Sequence, residues 1–287
     1  MSSPLVTTDW LFEHLHDARV RIADASWYLP QAGHKPRAEY DAAHIPGAVF
    51  FDIDAISDRA TDLPHMLPAP EDFAASMRSL GIGNDDLVVL YDGAGVYSAP
   101  RGLWMLCAMG HDKSVVLDGG LRKWRREGRP VTDTMTPSRQ ADFTARRKRD
   151  LVRSAADIRT NLSSGGEQVL DARSAPRFRG EEEQEPRPGV RPGHIPGSVN
   201  VHYADVLTPE GTMRPLDCLR VIFGARGVDL ERPVVTSFGS GITAAILSLA
   251  LEIAGAKRIA LYDGSWAEWG AVPDAPIKTG AKTEPAR

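Results

Sequence analysis

The sequence predicts an α/β protein of two tandem domains, each a parallel sheet with helices on both faces. Three observations lead there. An internal repeat runs in order through both halves, short β-branched runs alternate with helical segments, and the 287 residues suffice for about two ordinary domains.

The repeat has three anchors. His44-Ile45-Pro46-Gly47-Ala48-Val49 returns as His194-Ile195-Pro196-Gly197-Ser198-Val199, 150 positions on. Val88 to Gly95 aligns with Val234 to Gly241 at a shift of 146, and Asp118-Gly119-Gly120 with Trp124 aligns with Asp263-Gly264-Ser265 with Trp269 at 145. Three ordered matches at nearly one shift imply duplication. The expected division is a first domain over 1–131, a polar linker over 132–153 and a second domain over 154–287.

Strands are expected at Val20 to Ala23, Leu87 to Tyr91 and Ser114 to Leu117 in the first copy. In the second they fall at Val169 to Ala172, Val199 to His202, Pro233 to Ser237 and Ile259 to Tyr262. Such near-continuous apolar runs suit strands covered on both faces of a parallel sheet. Helical periodicity appears in Pro70 to Leu80 and Thr243 to Ala254. Thr132 to Arg153 has few apolar anchors and reads as the linker, its Arg146 to Lys148 cluster as solvated.

Composition narrows the function classes. An apolar fraction of 42% and a charged fraction of 25% describe a globular protein, and a net charge of −4 offers no broad basic field for nucleic acid. No secretory signal is visible and no apolar run approaches a membrane span, so no membrane partner is expected. Two cysteines, Cys107 and Cys218, suggest a reducing compartment, with the cytoplasm as default. Both lie among apolar neighbours and are expected in the core. No metal-ligand spacing and no cofactor motif occur. His44 and His194 occupy equivalent places in both copies, which favours a turn-fixing role over metal binding or catalysis.

The segment with chemical potential is Phe238-Gly239-Ser240-Gly241-Ile242-Thr243, between an expected strand and helix. Its glycines permit a sharp bend, so successive N–H groups can converge at the positive end of the following helix. That makes an anion cradle of the kind that lowers a cysteine pKa. A tight turn without a ligand is an equal reading of this segment alone.

The segment Thr236 to Ala244 resembles the active loop of 3-mercaptopyruvate sulfurtransferases, close relatives of thiosulfate sulfurtransferase in the tandem-domain rhodanese family, where the pattern is Cys-Gly-Ser-Gly-Val-Thr. The similarity extends to Asp24 to Pro30, Phe50 to Asp54, His65 to Pro68, Tyr97 to Arg101 and Tyr262 to Trp266. It implies two rhodanese-like domains, the first non-catalytic with Asp92 at the loop position, the second catalytic. It implies a loop cysteine that takes sulfur from a small anionic donor as a persulfide and yields it to a thiol or cyanide-like acceptor, thioredoxin among the candidates. Arg177 and Arg187 match residues holding the donor's anionic end; Asp54, His65 and Ser240 match a proton relay; Tyr97 and Thr243 match cleft-lining residues. Read without the resemblance, the two arginines are surface groups pairing with Glu181 to Glu183.

One departure decides the expectation for turnover. Phe238 stands where the family has its nucleophile, and phenylalanine has no atom that can carry sulfur. Losing the nucleophile of a covalent mechanism can cost on the order of a millionfold. This chain is therefore expected to be inactive or severely impaired as it stands. The neutral Gly-Ser-Gly-Ile loop favours a mercapto-acid over thiosulfate as donor. The competing reading is a non-enzymatic protein that binds an anion or a partner on the same scaffold.

Overall fold

A computed structural model describes residues 3–182, 185 and 187–280. The chain forms two compact units. The first comprises residues to Ala60, Leu67–Lys148 and Leu207–Met213; the second comprises Thr61–Met66, Arg149–Val206 and Arg214 onward.

The first unit runs β1 (Leu5–Val6), α1 (Thr8–Glu13), β2 (Val20–Asp24), α2 (Pro36–Ala42), β3 (Ala48–Phe50), α3 (Ile53–Ile56), α4 (Pro70–Ser79), β4 (Leu87–Tyr91), α5 (Ala99–Ala108), β5 (Ser114–Leu117) and α6 (Gly120–Arg126). The second runs β6 (Val152–Arg153), α7 (Ala155–Ser164), β7 (Gln168–Asp171), α8 (Ala175–Arg179), β8 (Val199–Asn200), α9 (Leu216–Ala225), β9 (Val234–Ser237), α10 (Ala244–Ala254), β10 (Ile259–Tyr262) and α11 (Ser265–Trp269). The sheets have the orders β1-β5-β4-β2-β3 and β6-β10-β9-β7-β8, one being the other under the repeat. Every strand pairing is parallel.

The central strands are buried along almost their whole length, which is why their sequences lack alternation. Each core is closed by a tryptophan seven positions past the end of the last strand. Trp124 donates Nε1–H to Pro130 O at 2.7 Å and Trp269 to Pro276 O at 2.9 Å. Both indoles are buried, as an apolar body with a single satisfied donor should be.

Residues 132–153 divide between the units. Residues to Lys148 lie with the first, where Phe143 is buried against His111 and Arg147 donates to the carbonyls of Leu67 and Pro68. Arg149 onward lies with the second, and Val152–Arg153 is a sheet strand beside β10.

The histidines of the repeated turn are buried and neighbourly. His44 Nδ1 lies 2.7 Å from Tyr40 O and stacks on the Tyr40 ring; His194 Nδ1 lies 2.7 Å from Phe178 O and stacks on Phe178. Each backbone is also bridged in both directions, His44 to Thr132 and His194 to Lys278. Burial pulls the His194 imidazole below its ordinary pKa, so the neutral ring is favoured.

The expectation that Cys218 is a core residue is wrong. Cys218 is exposed, whereas Cys107 is half-buried. The buried stripe of α9 is Leu219 and Phe223, one helical turn apart. Cys218 and Val221 project from the other side, and Val221 is 70% exposed. Among the described residues no helix is long and apolar enough to cross a membrane.

Candidate active site

The first unit shows what the strand-loop-helix turn does with an anion. Asp92 follows β4, and its carboxylate collects five backbone N–H groups. Oδ1 accepts from Ala94 and Gly95 at 3.0 and 2.9 Å; Oδ2 accepts from Tyr97, Ser98 and Ala99 at 2.8, 2.9 and 2.9 Å. The residue is 1% exposed. Burial pushes its pKa up, and the N–H donors pull against that. This cradle is filled by its own residue.

The second unit repeats the backbone with a different occupant. Phe238 follows β9, Gly241 takes the left-handed conformation at φ +83°, and α10 begins at Ala244. Leu121 N donates to Asp92 O in the first unit and Trp266 N to Phe238 O in the second, both at 2.9 Å or less. Among the described residues, no backbone N–H from Gly239 through Ala244 has a hydrogen-bond partner. The Thr243 hydroxyl is likewise buried and unpartnered. These donors, with the eleven-residue α10 behind them, make the loop an anion-receptive site.

The Phe238 ring packs against two side chains. It meets Tyr203 edge-on, with centroids 6.3 Å apart and planes at 88°, and it lies under the Arg177 guanidinium at 5.7 Å. Its own N–H is held by Ser265 Oγ at 3.3 Å, and that hydroxyl donates to Tyr262 O at 2.7 Å.

Arg177 is brought to the loop. A Cβ on Gly239 would lie 3.3 Å from Arg177 Nη2, so only glycine leaves the guanidinium this room without displacement. Arg177 donates to Glu185 at 2.5 Å, while its buried Nε has no acceptor among the described residues. Behind it lies Arg173, fully buried, which binds Asp171 through Nε and Nη2, Glu185 through Nη1 and Gly193 O through Nη2. Its guanidinium also covers the Trp266 ring at 4.4 Å.

The surface pairing of Arg177 with Glu181 to Glu183 is thus replaced by Glu185. It is Arg179 that takes Glu181, and Glu183 lies outside the described residues. Arg187 is exposed and donates to Asp62 O at 3.2 Å. His65 is nearly buried with a left-handed backbone, φ 58°. Asp54 and Tyr97 belong to the first unit. There Asp54 accepts the Trp27 indole N–H at 3.0 Å, and Tyr97 joins the Asp92 cradle through its backbone. Sequence reasoning missed Tyr203, Glu185 and Arg173. Arg173 follows an expected strand and so carries a positional signal, but its partner Glu185 comes from a loop with none.

A rhodanese-like domain model matches residues 7–127 and again 154–272. The chain is 43% identical to human 3-mercaptopyruvate sulfurtransferase over 94% of each protein. It is 42% identical to the Escherichia coli K12 3-mercaptopyruvate sulfurtransferase, covering 95% of this chain and 97% of that one. The crystal structure of SseA, a 3-mercaptopyruvate sulfotransferase from Escherichia coli, superposes with a TM-score of 0.84 at 39% identity, covering 92% of this chain and 99% of that one.

Proposed function

The chain belongs to the rhodanese family as a tandem-domain sulfurtransferase of the 3-mercaptopyruvate type, and from that premise we propose that its second-unit loop and Arg177 bind the anionic end of a mercapto-acid donor while Phe238 withholds the nucleophile. The observation that carries this reading is Arg177: a guanidinium packed against Gly239, with a buried Nε that has no acceptor among the described residues. A carboxylate lying across Nε and the loop N–H groups would satisfy donors that the protein leaves unsatisfied.

Around that pairing the remaining roles follow the family pattern. That pattern assigns Arg187 the part of second donor-binding cation, Asp54, His65 and Ser240 that of a proton relay, and Tyr97 and Thr243 that of cleft lining. A thiolate at position 238 would attack the donor sulfur and break its C–S bond, pyruvate leaving as its enolate and taking up a proton, and would hold the sulfur as a persulfide for a thiol acceptor, a thioredoxin-like dithiol being the expected class. The working compartment is reducing, the cytoplasm by default.

The test compares the chain with Phe238→Cys. Sulfide release from 3-mercaptopyruvate in the presence of a thiol is expected from the variant only. Equal rates in both would overturn the role given to position 238, and an inactive variant would overturn the donor assignment. A second reading, anion binding without turnover, is favoured for the parent chain by the loop N–H groups and Thr243 hydroxyl left without protein partners. Calorimetric titration with pyruvate, thiosulfate and sulfate measures it directly.

A further inference from the structure

We propose that Glu185 is the specificity-determining residue that fits this site to monoanionic rather than dianionic donors. The inference rests on the donor-binding reading above and adds to it a charge rule. Asp171, Arg173, Glu185 and Arg177 form one continuous ladder of alternating sign. Arg173 binds Asp171 at 2.8 to 3.1 Å and Glu185 at 2.9 Å, and Glu185 binds Arg177 at 2.5 Å. The side chains of the first three are at most 5% exposed, and that of Arg177 is 18% exposed.

Two carboxylates and two guanidinium groups cancel. Buried Arg173 is already satisfied by Asp171, Gly193 O and the Trp266 face. A second carboxylate is therefore not needed to keep Arg173 paired. What Glu185 adds is a fixed negative charge one hydrogen bond behind the arginine that faces the loop.

An arriving anion therefore meets a cation whose field is largely compensated. A single carboxylate can still use the directional N–H donors of Arg177 and the loop. The second charge of a dianion finds no uncompensated partner in the ladder and lies near the Glu185 carboxylate. In a partly desolvated site that penalty is felt at several ångströms. Glu185 touches no donor on this account; it acts through Arg177 and so is a positioning residue as well as a charge filter.

The test is a charge series in the full-length Phe238→Cys chain, reading the ratio of kcat/KM for 3-mercaptopyruvate to that for thiosulfate. Glu185→Gln makes the ladder net positive and is expected to lower the ratio on the order of tenfold, the scale of one unit charge at a partly exposed site. Arg177→Gln makes it net negative and is expected to raise the ratio, although both donors become poorer substrates. Glu185→Asp keeps the charge and is expected to hold the ratio within about twofold. Either charge-changing variant reads the effect if the other fails to fold. A ratio that does not follow the ladder's charge overturns the inference while leaving the donor-binding reading intact. A Phe238→Cys chain inactive on both donors overturns that reading and this inference with it.

Discussion

The Arg177 guanidinium lies 5.7 Å from the centre of the Phe238 ring, so the residue at the proposed nucleophile position also contacts the arginine proposed to bind the donor. The ring does not simply plug the loop. It lies against the guanidinium while Glu185 accepts from Nη2. The two contacts compete differently with an incoming anion: a carboxylate can share Arg177 with Glu185 through separate N–H groups, whereas the ring takes up part of the guanidinium charge that the carboxylate would otherwise meet.

Removing the ring should therefore improve anion binding even without restoring catalysis. A cation–π contact is worth about 0.5–2 kcal/mol, a factor of roughly 2–30 in affinity. Phe238→Ser is expected to bind pyruvate more tightly than the parent by a factor in that range, by calorimetry. Equal or weaker binding would show that the ring does not obstruct Arg177.

The Asp92 carboxylate is the first unit's own anion, and its loss should be repaired by another. Asp92→Gly leaves five N–H groups facing a buried space, and a buried unsatisfied donor costs about 1–3 kcal/mol. A loss of several kcal/mol in urea unfolding is expected, partly recovered by millimolar acetate and not by an uncharged analogue such as acetamide. Equal recovery by both would mean that cavity filling, not charge, explains Asp92.

Much of the fold was legible because β4, β5, β9 and β10 are apolar runs bounded by turns, and because duplication let each half corroborate the other. The short edge strands were not. Leu5–Val6 and Val152–Arg153 are two residues each, too few for any period to register. At the site, the loop was legible since its spacing is local. The Glu185 ladder was not, since the carboxylate reaches Arg173 across twelve positions of irregular chain. Cys218 misled for a related reason: apolar neighbours in sequence lie on both sides of α9, and only Leu219 and Phe223 face inward.

Asp24 at the end of β2 should give the stability a pH signature. Burial raises its carboxyl to about 6 from an ordinary 3.8, against hydrogen bonds from Ser26 that act to lower it. The folded protein then retains a proton that the unfolded chain has released. Stability contributed by the protonated form is lost as pH rises from about 4 to about 6, at about 1.4 kcal/mol per pKa unit. Asp24→Asn mimics the protonated state. Its stability relative to the parent is expected to grow between about pH 4.5 and about pH 7.5 by a few kcal/mol in urea unfolding. A difference independent of pH would remove Asp24 from the titration.

Ser265 tests whether the second loop is held under strain. At the matching turn of the first unit Gly120 adopts φ 51°, and a Cβ there would lie 2.3 Å from Asp92 O. The second unit keeps the same φ of 51° with serine in place of glycine. A non-glycine residue in this region costs on the order of 1–2 kcal/mol. The compensation is the hydroxyl, which accepts the Phe238 N–H and donates to Tyr262 O. Ser265→Ala keeps the strain and loses both bonds, so a destabilisation of about 1–3 kcal/mol is expected. Ser265→Gly loses the same bonds but releases the strain, so it should be the more stable of the two. In the Phe238→Cys background both should lower sulfur transfer, since either frees the N–H at the start of the loop. Alanine more stable than glycine would show that the left-handed turn carries no strain, and full activity in both would show that the hydroxyl does not set the loop.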